Sequence, residues 1–282
     1  MLRIRKRNKF VRPFVKWVGG KRQLLDEIEK HIPKRLTKYY EPFVGGGAVL
    51  FYRQPTNAVI NDSNEELINL YNVIKELPEE LIEDLKQYKN EEEYFYKIRR
   101  LDRDREKYLK LNNIQRASRI IFLNKTCYNG LFRVNSAGEF NSPFGRYRNP
   151  NIVNDIVIRA TSNYLSEKNI EILNTDYEKS LSKIRKGAFV YLDPPYDPIS
   201  DSPSFTGYTK NGFDRTEQER LKIVCDVLNS KGIKFLLSNS STDLIRNLYK
   251  EYNIFSIKAK RSVNSKGNGR GDISEVLVKN YE

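Results

Sequence analysis

The sequence is poor in the residues on which several common kinds of active site depend. Its 282 residues include one histidine, His31, and two cysteines, Cys127 and Cys225. The cysteines lie far apart without metal-ligand spacing, so we expect free thiols and no metal site. A single imidazole argues against mechanisms that need several. No apolar run reaches membrane-span length, and none follows the basic amino terminus, so we expect neither a membrane span nor secretion.

Positive charge, in contrast, is abundant and unevenly spread. The formal net charge is +14, and 39% of the residues are hydrophobic. The first 22 residues carry nine lysines or arginines and no acid, and residues 97–150 carry thirteen against four acids, whereas residues 62–93 are acidic. Such basic blocks favour a polyanionic partner such as nucleic acid. Charge alone is explained equally well by a solvated surface.

Strand-like and helix-like segments alternate along the chain. The predicted strands are Tyr39–Val44, Ala58–Ile60, Ile170–Leu173, Ala188–Leu192, Lys234–Leu237, Ile254–Ala259 and Ile273–Lys279. Their order with the intervening helices predicts an α/β fold with a mostly parallel sheet. Residues 66–150 interrupt this pattern. They are mainly helical in character, with one long helix expected over Glu65–Lys89, and end in a hairpin whose tip is Ser136–Gly138.

The most informative segment is Asp193–Tyr196, with the sequence Asp-Pro-Pro-Tyr, directly after an apolar strand. Two prolines cannot continue a strand, so they fix a stiff, extended turn. A carboxylate, a carbonyl and an aromatic face are then displayed together at a strand's carboxyl end, where open α/β sheets bind ligands. Taken alone, such a turn is usually a strand end without chemistry.

Three further features favour a nucleotide pocket at the same sheet edge. Gly45–Gly47 follow a strand, and their backbone can approach a ligand closely. Asp62 ends the next strand, where an acid can bind a ribose, and Asp176 follows a third strand, where it can accept from an adenine amino group. None of these signals is specific alone. The glycines are not followed by Lys-Ser/Thr, which argues against a nucleoside triphosphatase.

Together these segments resemble amino-methyltransferases that use S-adenosylmethionine, and in particular the Dam family of DNA adenine methylases. The resemblance runs from about Val11 to Tyr281 and is closest to the GATC-methylating enzymes, including those of restriction–modification systems. Six ordered motifs carry it: Lys16–Lys21, Glu41–Gly47, Ile60–Asp62, Tyr128–Arg133, Phe140–Tyr147 and Asp193–Tyr196. It implies a Rossmann-like methyltransferase sheet with an inserted, mainly helical DNA-recognition domain that carries a β-hairpin.

The resemblance also implies domain bounds and site residues. The catalytic domain comprises residues 1–65 and 151–282, and the DNA target-recognition domain comprises residues 66–150, with its hairpin near 128–148. The catalytic residues are Asp193, Pro194, Pro195 and Tyr196. The cofactor-binding residues are Trp17, Lys21, Phe43, Gly45, Gly47, Asp62, Asp176, Tyr177 and Asp193. The DNA-binding residues are Lys16, Tyr128, Asn129, Leu131, Arg133, Asn135, Asn141, Pro143 and Arg146.

The expected reaction is methyl transfer from S-adenosylmethionine to the exocyclic amino group of adenine in duplex DNA, within GATC, after the base is flipped out. Asp193 and the Pro194 carbonyl would hold the amine, Tyr196 would stack on the base, Tyr128 would fill the gap and Arg133 would read guanine. Considered singly, a tyrosine is usually core and an arginine usually contacts phosphate or solvent.

Alternatives remain at this stage. The same motif suits another DNA site, the amino group of cytosine, or RNA, and a DNA-binding module without catalysis is the rival from another class. The intact Asp193, Tyr196 and glycine turn argue against the latter. We expect a cytoplasmic, nucleoid-associated protein with no stable protein partner, although a cognate restriction endonuclease could act in the same system. Residues 197–214 are expected to form a mobile loop over the flipped base, and residues 261–271 a flexible segment near DNA.

Overall fold

The computed structural model describes residues 7–17, 19–198, 213–260 and 272–282. The predictions for the first six residues of the basic arm, for residues 199–212 and for residues 261–271 lie outside these ranges. Within them the strands are β1 (Tyr39–Glu41), β2 (Asn57–Asn61), β3 (Asn169–Leu173), β4 (Phe189–Leu192), β5 (Lys234–Ser240), β6 (Asn253–Lys260) and β7 (Asp272–Lys279). The α-helices are α1 (Leu25–His31), α2 (Ala48–Arg53), α3 (Glu65–Glu76), α4 (Pro78–Leu85), α5 (Glu92–Arg99), α6 (Arg105–Leu109), α7 (Asn113–Thr126), α8 (Asp155–Glu167), α9 (Tyr177–Ser180), α10 (Arg215–Ser230) and α11 (Asp243–Leu248).

The described strands form a seven-stranded mixed sheet, which confirms the predicted α/β, Rossmann-like fold class. Six of them run in the order β2-β1-β4-β5-β7-β6. The first four of these are parallel, whereas β7 is antiparallel to both β5 and β6. All four residues of β4 are buried, as expected for a central parallel strand covered on both faces.

Contacts between Cα atoms divide the chain into two compact units. The first comprises residues 1–20, 45–56 and 64–174, and the second comprises residues 21–44, 57–63 and 175–282. This division follows packing within the chain and does not identify which residues bind DNA. The predicted catalytic and DNA-recognition domains therefore stay a prediction.

Helices form the core of the first unit. Helix α3 packs against α7 and α8, and α4 packs against the same two helices. The apolar side chains at these contacts are buried, among them Leu70 and Tyr71 of α3, Leu81 of α4 and Phe122 of α7. Along α3 the buried residues Leu67, Leu70, Tyr71 and Ile74 recur at the spacing of an amphipathic helix whose apolar stripe faces the interior.

The second unit contains six of the described strands, namely β1, β2 and β4 to β7. Helix α10 packs on β5 through the buried residues Leu221, Cys225 and Leu228, which recur at helical spacing along one face. Two backbone hydrogen bonds hold β1 and β4 together where these strands begin. Thr37 donates its N–H to the Gly187 carbonyl, and Phe189 donates its N–H to the Lys38 carbonyl.

The predicted single helix over Glu65–Lys89 is wrong, because the chain forms two helices there. Leu77 leaves the helical conformation, with φ −132° and ψ 50°, and Pro78 starts α4 as its first residue. A proline inside a helix would remove one hydrogen bond and clash with the preceding turn, whereas at a first helical position it costs nothing. The basic segment that follows is likewise broken into α5, a short 3-10 helix over Arg100–Arg103, α6 and α7.

Candidate active site

In the second unit, charged and aromatic side chains gather where β4 ends. The Lys21 Nζ lies 2.8 Å from Asp193 Oδ1, and their side chains are only 5% and 18% exposed. The same ammonium lies 4.6 Å from the centre of the Tyr196 ring. Tyr196 in turn donates its hydroxyl to Glu275 Oε2 at 2.8 Å. The structure thus brings together Lys21, Asp193 and Tyr196, three residues predicted from the sequence, and adds Glu275, which was not.

Burial raises the pKa of Asp193 to about 6, against the opposing attraction of Lys21 and with added repulsion from Glu275. The carboxylate is therefore ionised at neutral pH and can accept hydrogen bonds, but it protonates more readily than an exposed aspartate. Burial also holds the pKa of Tyr196 well above its usual value, so this phenol stays neutral. The cluster presents a negative acceptor beside a neutral aromatic face.

Asn61, the last residue of β2, organises the neighbouring strand ends. Its amide donates to the carbonyls of Pro42 and Thr175, both at 3.0 Å, and accepts the Thr175 N–H at 2.9 Å. Val44 closes the set by donating its N–H to the Asn61 carbonyl. Asn61 is 1% exposed. It fixes the backbone on which two predicted cofactor residues, Phe43 and Asp62, are mounted.

Asp176 and Tyr177 begin helix α9, where the sequence predicted part of the cofactor site. The Phe43 and Tyr177 rings lie 5.0 Å apart, so these two predicted residues do meet. Asp176 caps α9 through the Glu178 N–H, and both of its oxygens accept from Arg220 at 2.7 and 3.0 Å. The Arg220 guanidinium also lies 4.7 Å over the Tyr177 ring.

Arg220 reduces the capacity of the Asp176 carboxylate to accept hydrogen bonds from a ligand. Partial burial pulls the pKa of Asp176 upward, but the hydrogen bonds from Arg220 outweigh it and leave the pKa below its usual value. A charge-assisted bidentate pair of this kind occupies the carboxylate that the sequence assigned to an adenine amino group. Arg220 was missed because it lies 44 residues further along the chain, on α10.

In the first unit, the glycine turn packs around Trp17. Gly45 and Gly47 have φ of 49° and 72°, a region that disfavours other residues. A Cβ atom on Gly45 would stand 3.0 Å from the Trp17 ring, and one on Gly47 would stand 2.6 Å from both Phe51 and the Tyr71 hydroxyl. Local packing therefore requires glycine at both positions, independently of any ligand.

The predicted hairpin is present in the first unit. Val134 and Phe140 form an antiparallel bridge. Asn135 shapes the turn, because its Oδ1 accepts from the N–H groups of Ala137 and Glu139 at 3.1 and 2.9 Å. Arg133 is exposed and donates its Nε to Asn141 Oδ1 at 2.7 Å. The structure thus joins Arg133 and Asn141, two of the predicted DNA-binding residues, and Asn135 forms part of the turn itself.

A second group of predicted DNA-binding residues surrounds the buried Asn124. This amide accepts the Lys16 N–H at 2.8 Å and donates to the Lys16 and Gly130 carbonyls at 2.7 and 3.1 Å. The Lys16 Nζ donates to the Asn129 carbonyl at 2.5 Å. Asn124 was not predicted from the sequence. It ties the amino-terminal segment to the start of the hairpin, within the same unit.

The remaining predicted residues differ in exposure. Tyr128 is 59% exposed and donates its N–H to the Pro143 carbonyl at 2.8 Å, so these two lie together. Leu131 is half-buried, and its carbonyl accepts from the Ser142 hydroxyl. The Arg146 side chain is 78% exposed, 3.5 Å from Glu92. An exposed tyrosine ring at a hairpin base is available for contact with a ligand.

Polar contacts also anchor the hairpin to the helices of its unit. The Phe140 N–H donates to Asp102 Oδ2 at 2.7 Å, while Arg99 and Arg103 donate to the Phe140 carbonyl at 3.2 and 3.1 Å. Asp102 is itself paired with the buried Arg119 at 2.7 Å. The Phe132 ring stacks on Trp17, with centroids 4.5 Å apart. The hairpin therefore has a fixed base beneath its exposed side chains.

No cluster of histidine, cysteine, aspartate or glutamate in the described part of the chain has the arrangement of a metal site. Across residues 7–17, 19–198, 213–260 and 272–282, no helix is both long and apolar enough to cross a membrane.

Comparison with known proteins identifies the family. A family model described as D12 class N6 adenine-specific DNA methyltransferase matches residues 17–263. A type II methyltransferase of Lactococcus lactis subsp. cremoris is 46% identical over 273 residues, which cover 96% of each chain. A second one, from Methanocaldococcus jannaschii, is 43% identical over 291 residues, covering 96% of this chain and 99% of the relative. A DNA adenine methylase of Escherichia coli is 34% identical over 274 residues, which cover 95% of this chain and 94% of the relative.

These matches extend over nearly the whole chain and its relatives, and they include both units described above. They confirm the resemblance seen in the six motifs and the prediction of a site-specific DNA adenine methyltransferase, and they imply S-adenosylmethionine as the family's methyl donor. The chain belongs to the D12 class of N6 adenine-specific DNA methyltransferases.

Proposed function

We propose that this enzyme transfers a methyl group from S-adenosylmethionine to the N6 nitrogen of adenine within GATC in duplex DNA, after flipping that adenine out of the helix. The observation that carries the chemical part is the cluster at the end of β4. There a half-buried, ionised Asp193 precedes the Pro194 carbonyl and the neutral Tyr196 ring.

The amine needs this arrangement because the lone pair of adenine N6 is delocalised into the ring. Two acceptors, the Asp193 carboxylate and the Pro194 carbonyl, would hold its two hydrogens and favour a pyramidal nitrogen. Bound S-adenosylmethionine would supply an electrophilic methyl group to N6, its sulfur would leave as a thioether, and N6 would lose one proton. Positioning and electrostatic stabilisation supply the catalysis, and Asp193 is placed to accept that proton. Tyr196 offers its ring face to the base.

The described residues fit the methyl donor, whose sulfonium group makes its methyl carbon electrophilic. In the second unit, the buried ammonium of Lys21 suits a carboxylate group, Asp62 directly after β2 suits a ribose, and the adjacent Phe43 and Tyr177 rings suit an adenine face. Asp176 and Asp193 complete this proposed set in the second unit. Trp17, Gly45 and Gly47, which belong to the first unit, are proposed as further cofactor-binding residues.

DNA recognition is proposed for residues 66–150 together with Lys16. The exposed Arg133 has the guanidinium fork that reads guanine in the major groove, and Tyr128 has an exposed ring that could fill the gap left by a flipped base. We assign further contacts with the duplex to Asn129, Leu131, Asn135, Asn141 and Pro143, and a phosphate contact to Arg146. Two relatives are named as type II methyltransferases. These names support a role beside a restriction endonuclease. We further propose that the enzyme acts on nucleoid DNA in the cytoplasm.

Mapping of methylated adenines tests the target. Purified enzyme and S-adenosylmethionine are incubated with mixed-sequence duplex DNA, and the products are sequenced by a method that detects N6-methyladenine. We expect methylation confined to GATC. Methylation at another sequence, on cytosine or only on RNA would overturn the proposed target while leaving the family assignment intact. A companion nuclease is tested with an extract of the source cells, which should cut unmethylated DNA and spare DNA that the enzyme has treated.

A further inference from the structure

Two buried amide side chains hold the main chain on either side of Tyr196. Gln218 lies on α10 and Asn239 lies on β5, and both are 0% exposed. Gln218 donates its Nε2 to the Pro195 carbonyl at 2.9 Å, and Asn239 donates its Nδ2 to Gln218 Oε1 at 3.0 Å. Asp197 then donates its N–H to Asn239 Oδ1 at 3.2 Å. A continuous chain of hydrogen bonds therefore runs from the residue before Tyr196 to the residue after it.

The direction of this chain is fixed at both ends. The Pro195 carbonyl can only accept and the Asp197 N–H can only donate, so each amide has one orientation that satisfies both neighbours. Turning over Gln218 or Asn239 would place two donors or two acceptors face to face. In a buried site each lost bond leaves an unsatisfied polar group. The two amides therefore specify one arrangement of the backbone and oppose others.

Ser240 adds a second tie to the same segment. Its hydroxyl donates to the Asp197 carbonyl at 2.7 Å, and its N–H donates to Asn239 Oδ1 at 2.8 Å. Both backbone groups of Asp197 are thereby engaged. Among the described residues, no N–H or O–H group donates to the Pro194 carbonyl. The network thus occupies the carbonyl of Pro195 and leaves that of Pro194 as an acceptor.

The two prolines alone do not fix this arrangement of the backbone. A proline ring fixes φ at its own position, but ψ of Pro195 and both dihedral angles of Tyr196 can still rotate. Rotation about these bonds would move the Tyr196 ring and tilt the peptide planes next to it. The amide chain restricts these remaining angles from outside the motif.

We propose that Gln218 and Asn239 are positioning residues for methyl transfer, which hold the turn so that the Asp193 carboxylate and the Pro194 carbonyl grip one amino group while Tyr196 faces the base. This inference rests on the proposed function only in taking Asp193 and Pro194 as the acceptors of the amine. It applies whichever DNA sequence carries that amine.

Gln218→Met tests the proposal, because it keeps the length of the side chain and removes its donor and acceptor. The single-turnover rate of methylation should fall by up to about 100-fold, the scale of a misplacement of about 1 Å in an active site. The affinities for S-adenosylmethionine and for a GATC duplex should stay within about threefold of the wild type. Ser240→Ala, which removes one hydroxyl, should lower the rate by about fivefold, the scale of one lost hydrogen bond.

Asn280 supplies the matched control. Its amide also bridges a donor and an acceptor of the second unit, accepting the Phe235 N–H and donating to the Ile233 carbonyl, both at 2.9 Å, at the opposite end of β5. Asn280→Leu should lower the melting temperature without changing the single-turnover rate. In a double-mutant cycle, Gln218→Met and Asn239→Leu should be strongly non-additive in rate, whereas Gln218→Met and Asn280→Leu should be additive.

The outcomes separate this proposal from the proposed function. The rates are measured on whichever adenine-containing duplex the wild-type enzyme methylates, so an error in the GATC assignment does not affect them. Wild-type rates in both Gln218→Met and Ser240→Ala would overturn the positioning role. An equal loss of rate in Asn280→Leu would overturn it as well, because the effect would then follow stability and not the contact with the turn.

Discussion

The end of β4 and the hairpin of residues 131–142 are built in opposite ways. Around Asp193 the functional side chains are buried or half-buried and paired with one another, as in the contact between Lys21 and Asp193. On the hairpin the backbone is anchored through Phe140, while Arg133 is exposed. A group that must shift its pKa needs burial, whereas a group that reads DNA must stay open to it. Substitutions should therefore affect rate in the first region and sequence preference in the second.

The largest effect is expected at Asp193. Asp193→Ala removes the acceptor of the amine, and we expect methyl transfer to fall by at least about 1000-fold, the upper range for loss of a preorganised electrostatic group. Incorporation of a labelled methyl group measures this change. Binding of S-adenosylmethionine and of DNA should remain measurable, which separates a catalytic defect from unfolding. Full activity in this variant would refute the mechanism.

Arg133 should show the opposite behaviour. Arg133→Ala should reduce the preference for GATC over a duplex altered at one guanine by about 10- to 100-fold, corresponding to about 1–3 kcal/mol for a bidentate contact with guanine. The measurement is kcat/KM on the two duplexes. Unchanged discrimination would show that another residue reads the guanine and would weaken the contrast between the regions.

The pH dependence of the rate should reflect the ionisation of Asp193 and not the residues of the hairpin. Methyl transfer needs ionised Asp193, whose pKa is raised to about 6 in the free enzyme, so kcat/KM should fall as the pH drops through about 6. Of the charges facing this carboxylate, Lys21 lowers its pKa and Glu275 raises it. Glu275→Gln should therefore move the midpoint to lower pH. Tyr196→Phe keeps the Glu275 charge and should leave the midpoint in place, whereas equal shifts in both variants would contradict an electrostatic origin.

The smallest effect is expected at Arg146, which is exposed and proposed to contact phosphate. Arg146→Ala should weaken binding to GATC and non-GATC duplexes equally and reduce the slope of log Kd against log salt by about one. Titrations at several salt concentrations measure the slope. If binding weakened only for the GATC duplex, Arg146 would belong to the residues that read sequence. The proposed difference between Arg146 and Arg133 would then be wrong.

Local patterns in the sequence were sufficient to predict the fold class and the position of Asp193. An apolar run followed by two prolines specifies a buried strand and its end, and the hairpin turn follows from Ser136–Gly138. The break at Pro78 was available from the same kind of signal, since a proline interrupts a helical pattern. The predicted helix across it was wrong because apolar periodicity was followed through the proline.

Residues that act through tertiary contacts could not be found in this way. Gln218, Asn239 and Glu275 reach the segment after β4 from α10, β5 and β7, at separations of 23 to 79 residues. Arg220 reaches Asp176 similarly. Each lies in an element whose pattern reflects only burial and periodicity, so nothing nearby in the sequence marks its role. These contacts depend on the strand order, which the local pattern of the sequence does not specify.

The stack of Trp17 on Phe132 has a consequence for how the enzyme binds its two ligands. The rings share one face, so a ligand that orders either ring also restricts the other. If Trp17 contacts the methyl donor and the hairpin contacts DNA, the two binding free energies are coupled. Thermodynamic reciprocity then requires each ligand to change the affinity for the other by the same factor. Replacing Phe132 by alanine should reduce that coupling from both sides at once.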